Sequence, residues 1–250
     1  MAWRLKERAK GKSKVDASAM TVVQHLTELR DRILYSLVAV ALGAVASFAA
    51  FDWITGFLVE PYTELTGEKG LIFTQPLEGF LTRIKVAAYC GLVLASPVVF
   101  WHLWRFITPG LYPKEKRYAI PFVISSVVLF AGGAILALLT FPRALEFLIG
   151  VGGDNLRPLL SAGSYLSLVF LMAVSFGFAF EFPILVIFLL LANILTVAQL
   201  RHWRRIAFLV IVIIAAVVTP SQDPITLFAL ALPMYFLYEG AILVGRFMKR

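Results

Sequence analysis

Residues 95–117 read ASPVVFWHLWRFITPGLYPKEKR, an apolar run without acids that ends in aromatics, a Pro-Gly pair and a cluster of mixed charge. This is the pattern of a chain leaving a membrane. Trp101, Trp104, Phe106 and Tyr112 suit an aromatic belt at headgroup depth, and Arg105, Lys114, Lys116 and Arg117 suit a basic loop on the cytoplasmic side. Glu115 is the one acid in that loop. Either its own neighbours neutralise it, a surface pairing of little worth, or it is kept for a cation that arrives from outside.

Composition points the same way. With 60% hydrophobic residues, 15% charged residues and a mean hydropathy of +0.85, 250 residues are too apolar for a soluble domain and read as a polytopic membrane protein. Cys90 is the single cysteine and lies in an apolar run, which excludes a disulfide framework and a thiolate metal site. His25, His102 and His202 have no ligand spacing, so no metal centre is expected, and nothing in the pattern calls for a cofactor. Residues 1–20 are basic but lack the apolar centre of a signal peptide, so they read as a cytoplasmic tail. The remainder, 21–250, reads as a single transmembrane domain.

Outward from the opening stretch, the hydrophobic pattern predicts an all-α membrane protein with six transmembrane helices. Thr21 and Gln24 fit a capping box, and Val22, Leu26, Leu29 and Ile33 recur at helical spacing beside Gln24, Glu28, Arg30, Asp31 and Arg32. An amphipathic helix lying in the interface is expected there, feeding the first span over 33–51, 19 residues against the ~20 that a bilayer core requires. Residues 52–79 are acidic apart from Lys69 and read as an outer loop. The second span covers 86–104, with Arg83 and Lys85 at its outer edge and a bend at Pro97; the third covers 118–142. Gly152, Gly153, Asp154 and Asn155 are turn formers in the outer loop that follows.

Residues 158–200 hold one charge, Glu181, two positions before Pro183. Two helices split at that point would leave Arg201, Arg204 and Arg205 outside, whereas one kinked helix over 165–192 puts them inside, as the distribution of basic residues favours. The last two spans, from 206–218 and from 225 to about 243, have apolar runs of only 13 and 14 residues around the turn TPSQDP. Both are expected to be short, with local thinning of the bilayer or a re-entrant hairpin as the alternatives. This topology places eight basic residues of the N-terminal segment, four in the loop over 105–117, three at 201–205 and Arg246, Lys249 and Arg250 inside, and only Lys69, Arg143 and Arg157 clearly outside.

Five short motifs occur in order: HLTELRDRI from His25, ASPVVFWHLWRFITPGLY followed by Glu115, FGFAFEFP from Phe176, TPSQDP from Thr219 and LPMYFLYE from Leu232. Together they resemble the TatC subunit of the twin-arginine protein translocase over nearly the whole chain. The resemblance implies a receptor, not an enzyme, that binds signal peptides bearing two consecutive arginines and helps move folded proteins across the inner membrane on the proton-motive force. It implies TatA and TatB single-span partners along the last two helices, several copies of the chain in one translocase, lipid around it and no nucleic acid. The signal-peptide site is implied at Glu28 and Arg30 of the first motif with Phe106 and Glu115 of the second. Glu181, Thr219 and Asp223 are implied as intramembrane polar or partner contacts. Two departures from the family pattern stand out: an extra residue between Pro220 and Asp223, and Leu227 where many relatives carry a glutamine able to partner the membrane glutamate.

Two carboxylates suit paired guanidiniums, because each planar fork takes a bidentate, charge-assisted bond that lysine cannot reproduce. The plain alternative for Glu28 is an i,i+4 pair with Arg32, worth ~0.3 to 0.5 kcal/mol. An acid at mid-membrane costs about 2.5 to 3.5 kcal/mol on insertion scales, which makes Glu181 a functional candidate, with a hydrogen-bonded kink beside Pro183 as the alternative. A proton-coupled transporter or channel built on Glu181 is the rival function, and a purely structural scaffold a third; both leave Glu28 and Glu115 without a role.

Overall fold

The computed structural model describes residues 22–68, 70–107, 119–153, 159–221 and 223–248. The expected tail over 1–20, Thr21 of the capping box, Lys69, the turn formers Asp154 and Asn155 with Arg157, and the loop carrying Tyr112, Lys114, Glu115, Lys116 and Arg117 lie outside them. The described residues form nine helices: α1 Val22–Ala49, α2 Phe51–Thr66, α3 Glu78–Ile107, α4 Ala119–Val151, α5 Ala162–Ala179, α6 Phe182–Leu191, α7 Val197–His202, α8 Arg204–Val218 and α9 Pro224–Met248. Five continuous rods are long and apolar enough to cross a membrane, with α5 and α6 together making one of them. Helix α8, at 15 residues, is the short sixth.

The amphipathic stretch is the opening of α1, which runs without interruption into the apolar segment. No Gly, Pro or capping residue stands between Arg32 and Tyr35, so nothing ends the hydrogen-bond ladder where the charged face stops. The acidic segment after the first crossing is largely helical. Helix α2 lies against the far end of the bundle through Leu58 and Tyr62, and the Tyr165 hydroxyl donates to the Leu58 carbonyl at 2.8 Å. Next to it, Glu78 accepts from the Thr74 amide at 2.6 Å, the Thr74 hydroxyl at 2.8 Å and the Gly163 amide at 2.9 Å, which ties the far-face loop to the start of α5.

Between Ala162 and Leu191 the chain is one spanning rod with a break at Phe180 and Glu181. Pro183 has no N–H to give the Ala179 carbonyl, so the ladder is interrupted and restarts with Glu181 at the cap of α6. Helix α9 is longer than its apolar run, 25 residues instead of a short span. Glu239, where the run ends, is a good helix former, so the helix continues past it, and its charge is paired with Arg204 of α8.

Close helix approach in a membrane relies on small residues, because lipid supplies no hydrophobic drive between helices. Helices α1 and α3 touch at Gly43 and Gly91; a Cβ on Gly91 would stand 2.5 Å from the Ala44 nitrogen. Helices α4 and α5 touch at Gly133, where a Cβ would stand 2.5 Å from the Phe176 carbonyl oxygen. These two crossings set the rotation of each helix and so decide which side chains face inward. Trp104 is one of them. It is 6% exposed, packed with Phe100, Phe122, Phe130 and Ile184, and therefore belongs to the bundle interior and not to the aromatic belt, whereas Trp101 is 43% exposed.

Candidate functional site: an acid-lined cleft and a buried glutamate

On the face that carries both described termini, Gln24, Glu28, Asp31, Arg32 and Tyr35 of α1 and His102 and Arg105 of α3 line a cleft of about 630 Å³. The α1 positions are spaced i, i+4, i+7, i+8 and i+11, a single helical stripe. Arg32 holds Glu28 Oε1, with Nε at 3.0 Å and Nη2 also in contact. Glu28 Oε2 is buried and has no hydrogen-bond partner among the described residues. The i,i+4 pair therefore exists and satisfies one oxygen only. A buried carboxylate oxygen without a donor is costly, and among the described residues none supplies one, so a guanidinium could serve as its partner.

Tyr35 and His102 of the lining stack at 5.5 Å. His25 stacks on Phe106 with centroids 4.3 Å apart, and neither of these two lines the cleft. Phe106 thus sits one helical turn from Glu28 on the neighbouring helix, joined through His25. Arg30 is placed differently from the other residues read from the first motif. It is exposed, does not line the cleft, and binds Asp31 Oδ1 through Nε at 2.9 Å and Nη2 at 2.7 Å. Glu115 lies outside the described residues.

Asp31, Tyr35 and His102 line the cleft and were not read from the sequence as site residues. The i+7 stripe from Glu28 to Tyr35 carries the signal that picks out the first two. Nothing in one dimension marks His102, since its place depends on the rotation of α3.

Glu181 occupies the break between α5 and α6. Ser126 of α4 is hydrogen-bonded to its carboxyl, and Trp104 Nε1 donates to Ser126 Oγ at 2.9 Å, while Glu181 Oε1 is buried with no partner. Ser126 and Trp104 supply the polar surroundings that Leu227 does not. Glu181 lies ten residues before Leu191, or about 15 Å along a helix, and Trp104 stands two residues from Phe106. The membrane acid is therefore connected by side-chain hydrogen bonds to the helix end that carries the cleft, a link that its distance along its own helix conceals.

Thr219 and Asp223 are both 1% exposed. Thr219 donates to the Ala215 carbonyl at 2.9 Å, and Asp223 accepts from the Thr226 amide at 2.8 Å and its hydroxyl at 2.6 Å. Burial alone would raise the Asp223 carboxyl, but hydrogen bonds from Ser221, Thr226 and the Ile225 amide outweigh it and hold the group below the usual aspartate range. These two residues build the turn that starts α9. Among the described residues no group of three or more His, Cys, Asp or Glu could hold a metal ion.

Fold and cleft define a polytopic α-helical membrane protein with a cleft of mixed charge at one face and a buried acid behind it. A family model described as Sec-independent protein translocase protein (TatC) matches residues 24–233, and the chain belongs to the TatC family. It is 42% identical over 243 residues to the TatC protein of Frankia casuarinae, covering 92% of this chain and 67% of that one. It is 35% identical to that of Carboxydothermus hydrogenoformans, covering 92% and 94%. A crystal structure of the twin arginine translocase receptor TatC superposes with a TM-score of 0.73 at 36% identity, covering 90% of this chain and all of that one. The chain is accordingly a non-enzymatic component of a protein translocase in the membrane.

Proposed function

We propose that this chain is the signal-peptide receptor of a twin-arginine translocase, and that Glu28 is one of two carboxylates that receive the arginine pair. Glu28 lining the cleft with one carboxylate oxygen unpartnered among the described residues is the observation that carries this reading. One guanidinium of the peptide takes that oxygen, and the second reaches Glu115, which follows the Phe106 helix end in sequence. Phe106 and His25 supply a flat apolar edge against which an arginine stacks. Arg30 acts through Asp31, holding that carboxylate at the rim. Pull-down of the full chain in detergent with a twin-arginine peptide, against the same peptide carrying two lysines, tests the reading. Equal capture of both peptides would overturn it.

Membership of a translocase family supports an assembly with further subunits. Single-span TatA and TatB subunits would dock along α8 and α9, which expose Leu209, Ile213, Val217 and Phe236. Glu181 serves as an intramembrane polar contact for such a helix or for the signal peptide, and Thr219 and Asp223 shape the turn that holds α8 and α9 together. The domain spans 21–250 behind a basic tail, and both termini lie on the cytoplasmic side of the inner membrane, as the basic residues favour. Several copies of the chain then work in one translocase.

A further inference from the structure

On the far side of the bundle from the cleft, a groove of about 460 Å³ opens between the α1–α2 corner and α3, α4 and α5. Its walls include Ala46, Trp53, Phe57, Leu94, Leu138 and Phe170, and the hydroxyl of Ser47 is spent on the Gly43 carbonyl at 2.9 Å. Apart from the Trp53 indole N–H and the Cys90 thiol the walls are hydrocarbon, which suits an apolar occupant better than water. Water takes ~30 Å³ in the liquid and a methylene is of similar size, so the groove holds about fifteen carbons, the length of one acyl chain.

A cation marks its outer end. Arg83 lies seven residues before Cys90 and eleven before Leu94, on the face of α3 that lines the groove. The Arg83 guanidinium carbon stands 4.8 Å from the ring centroids of both Phe48 and Phe51, beside Ser47 and Ala50 of the lining. Its Nη2 reaches only the Phe48 carbonyl, at 3.4 Å, and Nε has no partner. Among the described residues no carboxylate pairs with it. A guanidinium held in place by two rings, with donors left over, is built for an anion at headgroup depth.

We propose that the groove and Arg83 form a binding site for one phospholipid of the leaflet remote from the termini, with one acyl chain in the groove and the phosphate on Arg83. A single apolar helix would fill the groove but leave the guanidinium without its anion, so charge complementarity favours the lipid. Full-length protein, stripped of lipid in detergent, is titrated with phosphatidylglycerol and with diacylglycerol of the same chains, and bound lipid is counted by native mass spectrometry. Wild type takes up one phosphatidylglycerol saturably and more tightly than diacylglycerol. Arg83→Gln weakens phosphatidylglycerol about tenfold, the size of one charge-assisted hydrogen bond, and leaves diacylglycerol unchanged. Ala46→Phe, at an exposed position that tolerates a larger side chain, fills the groove and weakens both lipids. Equal affinity of Arg83→Gln and wild type for phosphatidylglycerol would overturn the site. So would unsaturable uptake, or lipid binding indifferent to Ala46→Phe, the result expected if a partner helix is the groove's true occupant.

Discussion

The imidazole of His25 lies flat on the ring of Phe106, 12° between planes, and so joins the first family motif to the second across the α1–α3 interface. Offset aromatic pairs contribute about 0.5 to 1.5 kcal/mol beyond their buried area. A double-mutant cycle of His25→Ala and Phe106→Ala on peptide affinity is expected to return a coupling of roughly that size. Additive losses would show that the two rings act separately.

Glu28→Gln keeps an acceptor but removes the charge, and twin-arginine peptide affinity is expected to fall about tenfold or more, as for a lost charge-assisted pair. Glu115→Gln is expected to do the same and Glu115→Arg to do worse, by adding repulsion to a lost acceptor. Arg30→Gln should cost less than Glu28→Gln, because among the described residues Arg30 is paired with Asp31 and lies outside the cleft lining. Fluorescence anisotropy of a labelled peptide on folded, detergent-solubilised variants measures all four. Wild-type affinity in both glutamine variants would move the site elsewhere.

At Glu181, Gln retains the capacity to hydrogen-bond with Ser126, and Ala removes it. Glu181→Gln is expected to keep partner crosslinking and much of the transport, Glu181→Ala to lose partner contacts, and both to bind the twin-arginine peptide. Site-specific crosslinking beside peptide binding in the same membranes decides. Undiminished partner crosslinks in Glu181→Ala would rule out a polar contact there.

Hydrogen bonds to the Asp223 carboxylate predict that stability falls on acidification. Its folded carboxyl is held below the usual range, so its contribution is complete above the ordinary aspartate value and disappears as pH falls through the folded one. Asp223→Ala removes the cap of α9 and is expected to cost roughly 0.5 to 2 kcal/mol at neutral pH. The gap between the thermal melts of the two proteins in detergent should narrow as the pH falls below the ordinary aspartate range. A gap that does not change with pH would mean that the carboxylate charge contributes nothing.

Topology is open to labelling. With Cys90 replaced, single cysteines at Thr74 and Ser161 should react with an impermeant reagent from outside the cell, and one at Gln199 only after permeabilisation. Reactivity of Gln199→Cys in intact cells would reverse the orientation.

What the sequence by itself determined was the set of crossings and the residues worth suspecting. Span length and the placement of basic residues are properties of the chain in one dimension, and the order of five motifs is another. Glu28, Phe106 and Glu181 were legible because an acid or an aromatic at a helix end or at membrane depth is conspicuous without any neighbours. Tertiary structure alone decided where the side chains point. Trp104 turns inward to Ser126, Arg30 turns away from the cleft while Asp31 and His102 turn into it, and Arg83 comes to rest between two phenylalanines. Each of these depends on the rotation of a helix about its own axis, and that angle is set where Gly43 meets Gly91 and Gly133 meets Phe176. Such contacts join positions far apart in the chain, and an apolar helix has no strong face of its own to reveal which side it will bury. The pairing of Glu239 has the same origin, since it ends an apolar run in sequence but meets Arg204 of α8 in space.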